Sequence, residues 1–374
     1  MEGTVLPRSR AADGSAPACI DASVADDGAV TTNSGGVPKT PETWLTLVHE
    51  DVVEPNMVIV DPHHHLWDYP ERTGFQTRYL LDELRADTGS GHRVEKTVFV
   101  ECDWAYRVDG PAHLRTVGET EYVAGVAAAS ADSDGARIAA IVGTSDLALD
   151  PSLLGEALDA HEAAGGGLFR GIRHRLANDP TGSAHPSRAD APDVNLMGHD
   201  AFRAGVAELG RRGHSFDAWL YHPQLPALTE LARAVPATTI VLDHIGAPLG
   251  VGAYANRRDE ILSEWRDSMT ELSQCQNVVV KLGGIGMPAY GLGWEDRDRP
   301  ATSDEIVAAW GPSMRFVIER FGAKRCMFES NFPVDKVSCS YRVLWNAFKK
   351  MTSDLAPDAR TDLFGGTASR AYRL

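Results

Sequence analysis

The residues with most chemistry to offer are three consecutive histidines. In Asp61-Pro62-His63-His64-His65-Leu66-Trp67-Asp68 they follow the short apolar run Met57-Val58-Ile59-Val60. Positions two apart in extended chain share a face, so His63 and His65 point together and His64 points away. Two imidazoles on one face are a natural half of a metal site; the plain alternative is a hydrogen-bonded cluster or a polar turn. Capable side chains recur after other short apolar runs: Glu101-Cys102-Asp103, Arg173-His174-Arg175, Tyr221-His222-Pro223-Gln224 and Asp243-His244-Ile245-Gly246. Lys281 precedes Gly283-Gly284, and Glu329-Ser330-Asn331-Phe332-Pro333 leads on to Asp335. Singly, a histidine here is more often hydrogen-bonded packing, and an arginine often just pairs with a carboxylate. Repetition at equivalent positions argues for one shared site.

The elements that must position these groups are eight β-branched runs. They are Met57–Val60, Thr97–Val100, Ile138–Val142, Leu168–Ile172, Phe216–Leu220, Thr239–Leu242, Val278–Val280 and Cys326–Phe328. Helical spacing lies between them, around Tyr79–Leu84, Thr120–Ala128, Leu153–Ala164, Ala201–Arg211, Leu225–Ala234, Arg258–Leu272 and Asp304–Phe321. Strands apolar on both faces alternating with helices signal parallel βα units, and eight of them favour an α/β fold of the closed (β/α)8 TIM-barrel type. No Gly-x-Gly-x-x-Gly turn follows the first run, so no dinucleotide fingerprint supports an open sheet. Barrel sites lie at the C-terminal ends of the strands, where the polar residues cluster. Residues 1–40, rich in Ala, Gly, Ser, Asp and Thr, read as a flexible tail, leaving 41–374 as a single barrel domain.

Composition narrows the partners. Of 374 residues, 43% are apolar and 24% charged, as in a globular protein, and the formal net charge is −16. That charge repels nucleic acid and anionic membranes. The expectations are no transmembrane helix and no signal peptide. The five cysteines are scattered without a Cys-x-x-Cys pair, which fits a reducing, cytoplasmic setting.

Four segments carry a resemblance: Val60-Asp61-Pro62-His63-His64-His65-Leu66-Trp67, Phe169-Arg170-Gly171-Ile172-Arg173-His174, Asp243-His244-Ile245-Gly246 and Phe328-Glu329-Ser330-Asn331-Phe332-Pro333. The chain resembles the amidohydrolase superfamily, in the branch that includes sugar lactonases, pyrone-dicarboxylate lactonase and some metal-dependent decarboxylases. The resemblance implies that His63, His65 and His222 are metal ligands and that His244 is catalytic. It places Asn331 where the family usually has an aspartate acting as ligand and base. A carboxamide takes no proton in the useful pH range, so Glu329 and Glu101 are expected to supply the base. The alternative for both is structural pairing with Arg173, Arg175 or Lys281. Strand four carries Arg173 and His174 where two-metal members have a lysine, which favours one divalent metal, zinc, or none.

The expected reaction is opening of a cyclic ester by an activated water. Arg173, Arg175 and Lys281 would hold a substrate carboxylate or the oxyanion, with Trp67, Trp104 and Tyr221 as an apolar wall and Asn178–Met197 as a loop over the mouth. The alternatives are decarboxylation of an aromatic or unsaturated acid and a ligand-binding barrel without activity. A small molecule is the expected partner, and the resemblance implies association into a homo-oligomer.

Overall fold

The computed structural model describes residues 41–70, 77–132, 134–182, 184 and 192–374. The expected tail lies outside them, as do several residues of the expected mouth loop. Eight strands form one parallel sheet: β1 Val58–His64, β2 Arg93–Val100, β3 Arg137–Gly143, β4 Phe169–Arg175, β5 Ser215–Trp219, β6 Ile240–Leu242, β7 Val278–Leu282 and β8 Cys326–Phe328, in sequential order. All eight expected strands are present. Helices cover them outside: α1 Leu81–Thr88, α2 Val117–Ala131, α3 Pro151–Ala164, α4 Asp200–Arg211, α5 Leu225–Ala234, α6 Arg258–Leu272, α7 Ser303–Phe321 and α8 Tyr341–Met351, while α9 Thr367–Tyr372 packs into the interior cluster. The first helix begins later than its apolar spacing suggests, because Arg78–Tyr79 pairs antiparallel with Trp67–Asp68. Among the described residues no helix is long and apolar enough to cross a membrane.

Alternation along the strands separates two cores. Ile59, Phe99, Ile172, Phe216, Leu242, Val280 and Phe328 join the helices in the outer core. Val60, Val98, Val142, Val241 and Met327, from strands all around the sheet, meet in a separate cluster that can only be the barrel interior. Two residues further along β6 and β8 the inward side chain becomes ionisable. Val241 is followed by Asp243, and Met327 by Glu329. An apolar floor thus carries a charged upper layer at the C-terminal ends.

The barrel closes without a regular ladder between β1 and β8. A single bridge joins His64 to Phe332, while Ser330 donates its N–H to Asp61 Oδ1 at 2.9 Å. Asp61 Oδ2 also accepts from the Tyr341 hydroxyl at 2.9 Å. Below these contacts the C-terminal segment fills the seam: Gly365 lies against Val60, and Ala368 and Tyr372 join the interior cluster.

Candidate active site

Three imidazoles meet inside the upper layer. The Nε2 atoms of His63 and His65 lie 3.3 Å apart. His65 Nδ1 is 2.8 Å from the Val100 carbonyl, which only accepts, so Nδ1 carries the proton and Nε2 a lone pair. His63 Nδ1 lies 2.8 Å from Glu329 Oε2, and His244 Nδ1 lies 2.7 Å from Glu329 Oε1. His244 Nδ1 thus meets Glu329 Oε1 within hydrogen-bond distance, while His63 Nδ1 faces both Glu329 Oε2 and the Lys281 ammonium, 3.1 Å away. Burial, with the Lys281 ammonium beside His63 and the Arg173 guanidinium near His65, holds both imidazoles well below their ordinary pKa, hence neutral. Burial opposes ionisation of Glu329, but contacts from His244 and His63 overcome it and bring its carboxyl down to about 2.

Local backbone sets this arrangement. A register shift between Asp61 and His64 breaks the pairing of β1 with β2 where the histidines turn inward. His244 and Ile245 follow β6 with φ of 54° and 53°, a left-handed turn that bulky side chains rarely adopt. It lets Asp243 and His244, neighbours in sequence, join one cluster. A Cβ on Gly284 would stand 2.2 Å from the His244 ring, so the glycine pair after β7 serves close packing.

Charged partners complete the layer. The Lys281 ammonium, fully buried, lies 2.9 Å from Asp243 Oδ1, 3.0 Å from Asp217 Oδ2 and 3.1 Å from His63 Nδ1. Among the described residues Asp243 Oδ2 is buried with no hydrogen-bond partner. His63, Asp243 and His244 each bring one ligand atom within 4.8 Å of the others. A divalent cation fits this donor set on three grounds. The Nε2 atoms of His63 and His65 converge at 3.3 Å, the spacing of two ligands about 2.0–2.1 Å from a tetrahedral ion. Glu329 orients two of the rings as outer carboxylates orient metal-bound histidines. The carboxylates of Asp217, Asp243 and Glu329 outnumber the one ammonium among them.

Other expected residues fall elsewhere. Glu101 is saturated: Arg173 Nε donates to Oε1 at 2.8 Å, and Arg175 donates from Nε at 3.0 Å and from Nη2 to Oε2 at 3.2 Å. Arg175 also pairs with Asp103. Burial would raise the Glu101 pKa, but the two guanidiniums lower it, so this carboxylate is a poor base and the arginines are already occupied. The pairing alternative holds for Glu101, and Lys281 likewise faces carboxylates instead of a substrate. His222 stands apart from the imidazole group; its Nδ1 accepts the Leu249 N–H at 3.3 Å and its ring packs on Tyr254. The turn that starts after Trp219 carries it away from the inward series.

Trp67 stacks on His65 with ring centroids 5.8 Å apart, as expected of a wall residue. Trp219, unmarked in the sequence, packs edge-on against His244 at 4.6 Å, with Tyr221 buried behind it. Trp104 packs on Tyr69. Asn331, with φ of 57°, donates its amide to Asp335 Oδ1 at 2.9 Å, while its own buried Oδ1 has no partner. Asp335 Oδ2 accepts the Gly286 N–H at 2.9 Å, and burial pushes this carboxyl up to about 7. Sequence reasoning marked Asp243 and Asp335 at strand ends without giving them a role and passed over Asp217. Their signal was a carboxylate at an inward position of a strand or one turn beyond Asn331.

Comparison with known proteins agrees with this geometry. Residues 60–374 match the family model described as amidohydrolase. The chain is 32% identical over 336 residues to an uncharacterised protein, y4mH, of Sinorhizobium fredii, covering 85% of this chain and 99% of that one. It is 32% identical over 243 residues to an L-fucono-1,5-lactonase of Burkholderia multivorans, covering 64% of this chain and 73% of the lactonase. A crystal structure of an amidohydrolase from Burkholderia multivorans with bound zinc superposes with a TM-score of 0.64 at 27% identity, covering 85% of this chain and all of that one.

Proposed function

This chain belongs to the amidohydrolase family, and from that premise we propose that it hydrolyses an uncharged lactone, with a sugar lactone as the substrate class. The observation that carries the reading is the group of three buried imidazoles beside Asp243, with the Nε2 atoms of His63 and His65 converging at 3.3 Å. His63, His65, Asp243 and His244 would hold one divalent cation, and donors of this kind suit zinc. Such a cation supplies Lewis acidity and a water acidic enough to be deprotonated near neutral pH.

The rim argues for an uncharged ring. Arg173, Arg175 and Lys281, the cations expected to take a substrate carboxylate, are neutralised by Glu101, Asp103, Asp217 and Asp243. Trp67 and Trp219, both half-buried, instead offer flat apolar surfaces next to His65 and His244. The lactonase relative supports the same class. We assign uptake of the water's proton to Asp335, whose carboxyl is tuned near 7 and held by Asn331 and Gly286. The ring oxygen leaves as the hydroxyl of the open acid by taking that proton back from Asp335, and the new carboxylic acid then ionises to the solvent.

The test is a panel in a pH-indicator assay: neutral sugar 1,5-lactones, an anionic pyrone lactone and aromatic acids, with metal analysis of the purified protein. Acid release from the neutral lactones is expected. Carbon dioxide release from an aromatic acid with no lactone opened would replace the proposal with decarboxylation.

A further inference from the structure

The last helix reaches the site from the opposite end of the barrel. Tyr372 is fully buried in the interior cluster with Val60, Val98, Val241 and Met327. Its hydroxyl donates to Asp217 Oδ2, and its ring lies 5.5 Å from the Lys281 ammonium. Asp217 Oδ1 accepts from the Ser215 hydroxyl at 2.9 Å, and Oδ2 is also 3.0 Å from Lys281. Lys281 in turn lies 2.9 Å from Asp243 and 3.1 Å from His63 Nδ1. An unbroken chain of buried polar contacts thus runs from the barrel floor to the imidazole group.

We propose that Tyr372 is a positioning residue: its hydroxyl fixes Asp217, Asp217 fixes Lys281, and Lys281 sets where Asp243 and His63 stand. The argument is one of donor supply. A buried carboxylate must be met by donors, and Asp217 has three: Ser215, Tyr372 and Lys281. Lys281 shares a single ammonium between Asp217 and Asp243. Removing the phenol hydroxyl leaves Asp217 short of a donor, so the ammonium is drawn toward Asp217 and away from Asp243. The tyrosine ring has a separate duty in the seam between β1 and β8, which phenylalanine can perform.

The experiment compares Tyr372→Phe, Asp217→Asn and the double variant with the wild-type chain. Zinc affinity is read by chelator competition and the cobalt(II) form by its visible spectrum, neither of which needs a substrate. Melting temperature reports the fold. Tyr372→Phe is expected to melt within a few degrees of wild type, bind zinc about 10-fold more weakly and shift the cobalt spectrum, as loss of a group supporting metal ligands does. Asp217→Asn should weaken zinc at least as much, and the double variant no further than Asp217→Asn alone, because both act through Lys281. Phe364→Leu, a packing change in the same C-terminal segment, should lower the melting temperature and leave zinc affinity in place. Wild-type affinity and spectrum in Tyr372→Phe, losses that multiply in the double variant, an equal loss in Phe364→Leu, or a wild-type chain that takes up no zinc would each overturn the proposal.

Discussion

The two halves of the barrel rim use similar side chains to opposite ends. On the β2 and β4 side, Glu101, Asp103, Arg173 and Arg175 satisfy one another. On the side formed by β1 and β5 to β8, the donors run out first. Nε2 of His63 and of His65 converge at 3.3 Å, and Oδ2 of Asp243 is left buried without a partner among the described residues. The first half pairs its four charges with one another and has little left to do with them. Spare coordination capacity, rather than density of ionisable residues, distinguishes a reactive half from a structural one.

The comparison breaks most visibly at the histidines. Replacing His63 and His65 together by Ala should lower kcat/KM for the best lactone by about 10⁴-fold, the scale of losing groups that act as a unit. Circular dichroism should show the fold retained, since both rings sit above the apolar floor. Activity within tenfold of wild type would remove the reactive half from the account.

Glu101→Gln tests the structural half. Glu101 is 1% exposed and carries the charge facing both Arg173 and Arg175, so the variant buries an uncompensated cation. The expected cost is about 3–5 kcal/mol of unfolding free energy, read from urea denaturation. Zinc stoichiometry should stay at the wild-type value. If stability were unchanged but the metal lost, Glu101 would belong to the other half.

How much of this could be read from sequence follows from which contacts are local. The eight strands were legible because apolar runs mark their positions directly, and the shared face of His63 and His65 follows from the two-residue repeat. Seam closure was not, since residues 330–332 join β1 by scattered bonds and the Asp362–Tyr372 segment covers the rest. Asp243 was marked but given no role, because only the left-handed turn at His244 brings both neighbours into one cluster. His222 misled for the converse reason: it lies past the strand end, where inward alternation no longer governs direction. Asp217 is inward by simple alternation and could have been found, while its link to Tyr372 spans 155 positions of sequence.

Asp335 sharpens the comparison within the reactive half, because its activity and stability effects carry opposite signs. Burial raises the folded carboxyl from 3.8 to about 7. The stability it contributes is therefore fully present below about pH 4 and is lost as pH rises through about 7. Proton uptake requires the ionised form, so kcat/KM should rise across the same range with an acid limb near 7. Asp335→Asn keeps an acceptor for the Gly286 N–H but cannot take a proton. It should lower kcat by about 10²-fold, abolish that limb, and flatten the fall in unfolding free energy between about pH 4 and pH 7. A variant that keeps the wild-type limb would assign proton uptake to another group; one that loses activity but keeps the stability slope would show that the titrating carboxyl lies elsewhere.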